Sequence, residues 1–247
     1  AKLTRVVAHR MGGIRIVLDK LTDAGNRAAI IRSAEAFGIL NVHIIPSAIS
    51  PPRRRHHRVI TAGSEKWIHV HHHESHRDCL QSLRNGGCSI YCAKPEEPAD
   101  DVANRPVPLT SLGFSPAGES LPRPRSTSGF LTSEYRADFS VKTALVFGSE
   151  SHGISKEVSA ASDGDFTINM FGLTESLNVS VAAAVSMHWA RFARAKALST
   201  KSDLSERERT ALLALWTSPH HHYGKGGVAS HNPDAHYASA MRIAVSP

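Results

Sequence analysis

The chain predicts an α/β fold, a mostly parallel sheet flanked by helices, and three observations carry that expectation. Residues 14–45 alternate strand, helix and strand. The later apolar runs CSIYCA, TALVF and FTINM are separated by segments of helical character or by a long polar insertion. Glycine- and asparagine-containing turns punctuate these elements, and no internal repeat suggests a solenoid.

IRIVL, residues 14–18, is a β-rich run followed by the loop LTDAGN. Asn26 sits where a helix N-cap belongs. RAAIIRSAEAF then places Ile30, Ala34 and Phe37 on one helical stripe, and Gly38 falls at the position that ends such a helix. NVHII is the next strand. A basic, proline-containing loop covers residues 46–55, and residues 75–84 read as a short helix stopped by Asn85-Gly86-Gly87. Residues 94–139 are rich in Pro, Ser, Arg and Glu with little periodicity, which marks an insertion before TALVF. A short helix after Ser155, the turn Asp163-Gly164, the strand FTINM and a long helix over about 177–198 complete the pattern. A last helix, about 205–216, opens with ERER, and the histidine-rich tail from residue 217 looks unpacked.

The 247 residues suffice for a full core, and no run approaches 18 uninterrupted apolar residues, so no membrane partner is expected. Cys79, Cys88 and Cys92 include no C-x-x-C spacing and read as reduced thiols in an intracellular compartment. Cytoplasm is the expected location, or an organelle if a leader preceding Ala1 has been removed. A net charge of +7 favours a polyanionic partner such as RNA. Arg53, Arg54, Arg55 and Arg58 are the densest phosphate-binding candidates, and residues 191–196 form a second basic run.

Two site readings compete at single stretches. Ser149-Glu150-Ser151-His152-Gly153 is a nucleophile elbow with its first glycine replaced, which makes Ser151 a hydrolase candidate. Against it, the histidine that follows in order, His188, falls mid-helix. The histidines at 69, 71, 72, 73 and 76 raise a metal hypothesis, since alternate residues of a strand share a face. Their spacing lacks a completing cysteine or carboxylate apart from Glu74, so a polar strand edge is the expected reading and no metal is assigned.

Three stretches taken together point elsewhere: NRAAIIRSAEAFG at 26–38, LVFGSESHGIS at 145–155 and INMFGLTESLNVSVAAA at 168–184. In order and spacing they resemble the three motifs of the SpoU branch of the SPOUT ribose 2′-O-methyltransferases. The segment after the third motif looks most like the tRNA guanosine 2′-O-methyltransferases that act on the D-loop. The resemblance covers most of residues 1–216. It implies a C-terminal deep trefoil knot completing the α/β fold, S-adenosylmethionine as cofactor, RNA and most specifically tRNA as partner, and a homodimer. The resulting division is a basic segment 1–13, a methyltransferase domain 14–200 interrupted by the 94–139 insertion, a C-terminal helix 201–216 and a tail 217–247.

Site residues follow from the same resemblance. Arg32 is the first motif's arginine, expected to act as base or to clamp an RNA phosphate. Asn26 and Glu150 shape the site, and Ser176 and Asn178 order it from the start of the long helix, where free backbone N–H groups gather. Gly148, Ile168, Met170 and Leu177 line the cofactor, with Ala93 at the preceding strand end. Gly25 and Arg27 depart from the pattern, where relatives often carry a bulkier and an aliphatic residue. The alternatives are a ribosomal RNA 2′-O-methyltransferase, less expected because only about 13 residues precede the first strand, and a knotted RNA-binding protein that has lost catalysis.

Overall fold

Along Met11–Asp19 the residues Ile14, Ile16 and Leu18 alternate with Arg15, Val17 and Asp19, so strand β1 presents different side chains to its two faces. The computed structural model describes residues 1–47, 63–95, 107–109 and 139–218. Within them β1 pairs in parallel with β2 (Ile39–Ile45) on one side and β6 (Lys142–Phe147) on the other. β3 (His69–His72) continues the sheet beyond β2, while β4 (Cys88–Ala93), β7 (Gly164–Thr167) and the short β5 (Val107–Pro108) extend it beyond β6. The order is β3-β2-β1-β6-β4-β7-β5, and every pairing is parallel. All carboxyl ends therefore emerge at one edge, as the sequence predicts for the fold class.

Helices cover both faces, as a parallel sheet requires. On one face α2 (Ala24–Ala36) and α5 (Val179–Ala197) pack Ile30, Ile31, Ala34, Ala183, Met187 and Ala190 against Ile14, Ile16 and Leu18. On the other, α3 (His76–Asn85) and α4 (Lys156–Ala161) pack Cys79, Leu83 and Val158 against Val17, Ile90, Cys92, Ala144 and Val146. The three cysteines are all free and buried, in keeping with the reading as reduced thiols. A third cluster joins α1 (Lys2–Val7) to α6 (Glu206–Thr217) through Val7, Leu40, Leu204, Leu212 and Trp216.

Several element boundaries differ from the sequence reading. The first 13 residues hold a helix and the start of β1, which begins at Met11 rather than Ile14. β7 ends at Thr167, so Ile168 and Met170 lie beyond the strand. The N-cap of α2 is Asp23, whose carboxylate accepts the Asn26 N–H at 2.6 Å, and Asn26 is the third helical residue. Aspartate and asparagine cap equally well, and the choice of Asp23 frees the Asn26 side chain. Most of the 94–139 insertion, Arg53, Arg54, Arg55, Arg58 and nearly all of the tail lie outside the described residues, but the insertion contributes β5, a two-residue strand beside β7 that no periodicity marks.

The second basic run is only partly available to phosphates. Arg194 is 5% exposed and donates to the carbonyls of Phe139 (2.7 Å) and Val141 (2.6 Å) while pairing with Asp203. Asp203 in turn accepts the Gly12 and Gly13 N–H groups at 2.6 and 2.8 Å. A Cβ on Gly13 would sit 2.1 Å from Arg194 Nη2, so no side chain fits between β1 and this pair. One buried pair thus ties β1, the entry to β6, α5 and the chain after it. Asp203→Ala leaves Arg194 buried without its partner, and a loss of about 3–5 kcal/mol is expected, measurable by urea denaturation.

Candidate active site

The carboxyl edge of the sheet gathers the three motif segments. Asn26 belongs to the first turn of α2, Glu150 to the loop after β6, and Asn178 caps α5 by accepting the Ser180 N–H at 2.9 Å. The Asn26 amide donates to Glu150 Oε1 at 2.6 Å. Asn178 Nδ2 donates to Asn26 Oδ1 at 3.2 Å and to the same Glu150 oxygen at 3.3 Å. The glutamate engages two amides here. Because Asn178 spends its oxygen on the helix cap and its nitrogen on the other two residues, the start of α5 is oriented by the network.

The loop after β6 folds back on itself. Ser149 and Gly153 exchange backbone hydrogen bonds of 3.1 and 2.8 Å, projecting Glu150 from between them. A Cβ on Gly148 would lie 2.2 Å from the Gly153 carbonyl carbon, a backbone clash that only glycine avoids. Ser155 closes the loop by donating its N–H (2.7 Å) and hydroxyl to the buried carboxylate of Asp19 at the end of β1. His76 reaches the same carboxylate at 3.0 Å. Ser151 is exposed, with its hydroxyl 2.7 Å from the neighbouring His152 Nδ1. That pairing is local to the loop; His188 instead lies exposed on α5 beside the Phe37 ring, so no relay reaches Ser151 from it.

Three of the residues expected to line the cofactor mark adjacent strand ends. Ala93 ends β4, Gly148 follows β6 and Ile168 follows β7, and the sheet order places these strands side by side. Ligands of open parallel sheets bind outside the strands' carboxyl ends. Met170 and Leu177 belong to the irregular segment between β7 and α5, both partly buried, whereas Phe171 and Leu173 on that segment are almost wholly exposed. Thr167 Oγ1, at the end of β7, is buried without a hydrogen-bond partner. A buried orphan hydroxyl beside these strand ends suits a ligand with a polar group to offer.

Arg32 is exposed on α2, and no hydrogen bond or ion pair engages it among the described residues. Ser176 is exposed on the segment before α5, and its side chain does not join the amide network. Sequence reasoning missed what Arg27 does: its guanidinium donates to the carbonyls of Leu21 and Thr22 at 2.6 and 3.1 Å, pinning the loop that leads into α2. An arginine five or six residues after a loop gives no local sign of this use.

The histidine run begins on β3, an outer strand of the sheet, and has a member the sequence reading left out. His43 of β2 is 1% exposed and stacks on His71 and His73 at ring separations of 4.4 and 5.1 Å. Burial first, then the charges of His71, His73 and Arg15, pushes its pKa down to about 2, so it is a neutral imidazole.

A parallel α/β sheet with a polar network and a glycine-tight loop at its carboxyl edge defines a class of ligand-binding α/β proteins. The SpoU rRNA Methylase family profile matches residues 13–188, and the chain belongs to that family. It is 26% identical over 216 residues to the tRNA (guanosine(18)-2′-O)-methyltransferase of Thermus thermophilus, covering 87% of this chain and 93% of that one. The Escherichia coli K12 protein of the same name is 27% identical over 217 residues, 86% of this chain and 79% of its own length. Among solved structures, the Aquifex aeolicus TrmH/SpoU tRNA modifying enzyme shares the fold, with a TM-score of 0.64, 24% identity and coverage of 87% and 92% of the two chains. The AviRb methyltransferase of Streptomyces viridochromogenes, solved in complex with AdoMet, matches with a TM-score of 0.52 and 20% identity over 74% of this chain and 60% of its own.

Gly148→Ala should open the loop after β6. Loss of the two hydrogen bonds that close it raises hydrogen exchange at the Ser149 and Gly153 amides by roughly tenfold, while amides of β1 keep wild-type rates.

Proposed function

We propose that this chain transfers a methyl group from S-adenosylmethionine to a ribose 2′-hydroxyl of tRNA, at the D-loop guanosine. The observation that carries the proposal is the Asn26–Glu150–Asn178 network, which joins residues of all three motif segments at the carboxyl edge of the sheet. Family membership supports the reaction class, and the relatives named for guanosine 18 of tRNA, matched over most of their length, support the substrate.

Each residue then has a physical task. Ala93, Gly148, Ile168, Met170 and Leu177 hold the cofactor at the three neighbouring strand ends, and the orphan Thr167 hydroxyl gains a partner there. When bound, S-adenosylmethionine supplies the methyl group as an electrophilic sulfonium substituent. Arg32, exposed and uncommitted, grips an RNA phosphate through two parallel N–H donors and so orients the ribose. Asn26 and Asn178 fix Glu150 and the start of α5, and so would hold rigid the edge at which a ribose hydroxyl meets the methyl donor. Ser176, exposed beside this network, is available to order bound RNA or cofactor. Arg53, Arg54, Arg55 and Arg58 add sequence-independent attraction for the tRNA backbone.

The active species is a homodimer. Val181, Val185 and Phe192 recur along α5 at helical spacing and are 47%, 42% and 56% exposed, an apolar stripe that a second copy would cover. A groove of about 700 Å³ beside it is lined by Phe37, His188, Arg191 and Phe192. The chain leaves β7 on one side of β4 and returns to pack α5 against α2 and β1. That return, with family membership, supports a C-terminal trefoil knot. Among the described residues no helix is long and apolar enough to cross a membrane, and cytoplasm is the proposed site of action.

Transfer of labelled methyl to unmodified tRNA tests the reaction. Wild type should label the ribose of the D-loop guanosine, and Arg32→Ala should reduce the rate by about 10²–10⁴-fold, the range for a group that positions or activates the reacting hydroxyl. No label in any RNA would overturn the proposal, and label confined to ribosomal RNA would reassign its substrate. In sedimentation equilibrium the wild type should behave as a dimer and Val185→Asp as a monomer.

A further inference from the structure

Outside the methyl-transfer site, three elements bring soft and borderline ligand groups together. β2 contributes His43, the residue after β3 contributes His73, and the first turn of α3 contributes Cys79. One ring nitrogen from each histidine and the Cys79 sulfur lie within 4.8 Å of one another, and all three side chains are buried. We propose that His43, His73 and Cys79 form a binding site for one Zn²⁺-class ion, which ties the β2–β3 end of the sheet to α3.

The hydrogen bonds around the cluster fix how its protons are placed. Asp78 Oδ2 lies 3.0 Å from His73 Nδ1, and a carboxylate accepts, so His73 carries its proton on Nδ1. His73 Nε2 is then the acceptor in the 2.8 Å contact with His43 Nδ1, which makes His43 the donor. His43 Nε2 is left with a bare lone pair, fully buried and without any hydrogen-bond partner. That nitrogen lies on the opposite side of the ring from His73, so it is not a ligand in this arrangement and is where a proton displaced from Nδ1 can go. Asp78 behind His73 reproduces the carboxylate–histidine pairing that orients imidazole ligands of zinc. Its own place is fixed at the start of α3, where Ser75 Oγ accepts its N–H at 3.1 Å.

The dimensions suit the ion. Tetrahedral Zn²⁺ with bonds of about 2.0–2.3 Å separates its ligand atoms by roughly 3.3–3.6 Å. The three atoms lie within 4.8 Å of one another, and the 2.8 Å contact between the two imidazoles must widen by roughly 0.5 Å when an ion replaces the proton between them. Binding replaces the proton between the two imidazoles, which moves to the free nitrogen of His43, and releases the Cys79 thiol proton to solvent. One proton leaves per ion, and no redox partner is needed. Two nitrogens and one thiolate favour Zn²⁺ over magnesium or calcium, which take oxygen ligands. Three protein ligands leave one coordination position for an exogenous group.

Titration of the full chain with Co²⁺ as a spectroscopic substitute, and equilibrium dialysis with Zn²⁺, test the site. Thiolate-to-cobalt charge-transfer absorption is expected in wild type and should vanish in Cys79→Ser and weaken in His73→Gln. Wild type should retain one more Zn²⁺ per chain than Cys79→Ser, whatever the remaining histidines bind. Equal Zn²⁺ uptake by wild type and Cys79→Ser, or Co²⁺ binding without the charge-transfer band, would overturn the proposal. Circular dichroism checks that the variants fold. Should Cys79→Ser unfold, the wild-type cobalt spectrum and its weakening in His73→Gln decide the matter. Methyl transfer is not a readout of this experiment, so its outcome is independent of the proposed enzymatic function.

Discussion

The Glu150 carboxylate accepts hydrogen bonds from the amides of Asn26 and Asn178, residues that stand 124 and 28 positions away in the chain. Those two bonds have meaning only because every pairing in the sheet is parallel. With all carboxyl ends at one edge, the loop after β1, the loop after β6 and the segment after β7 must share that edge. Asn178 adds the cap of α5, so the same network sets the direction in which the longest helix leaves the edge.

The opposite end of the molecule is held by a different device. Arg194 and Asp203 bind backbone groups of β1 and of the entry to β6, far along the chain from either. Removing two charges from water is costly, and the compensation comes from four backbone partners that would otherwise compete for solvent. The carboxyl edge thus carries amides and a partly solvated carboxylate that can rearrange around a ligand. The amino end carries a dry ion pair that cannot. The proposed site, which would admit cofactor and RNA at that edge, is served by that division.

Much of this was legible in the sequence, and the failures have physical causes. Apolar runs located β1, β2, β4, β6 and β7, and Gly38 located the end of α2, because both signals are local; β3, mostly histidine, and the two-residue β5 carry no such run. The three motif segments identified Asn26, Glu150 and Asn178, which the fold brings into contact. Asn26 was nonetheless misread as a helix cap. Asp23 and Asn26 are equally competent caps three residues apart, and only the tertiary demand on the Asn26 amide separates them. Arg194 counts toward the basic run 191–196 in the sequence, because burial of an arginine depends on Asp203 and on two carbonyls, which no helical spacing reveals. His43 went unnoticed in the histidine cluster for the same reason, since it enters from a neighbouring strand.

The central claim is that Asn26, Glu150 and Asn178 act as one unit at the reaction site. A double-mutant cycle on kcat/KM for methyl transfer, with Asn26→Ala and Asn178→Ala singly and together, tests it most directly. Residues of one hydrogen-bonded network couple by about 0.5–3 kcal/mol, so the double variant should lose little more than the worse single variant. Losses that simply add would contradict the account, because they would mean that the two amides reach the reaction independently of each other.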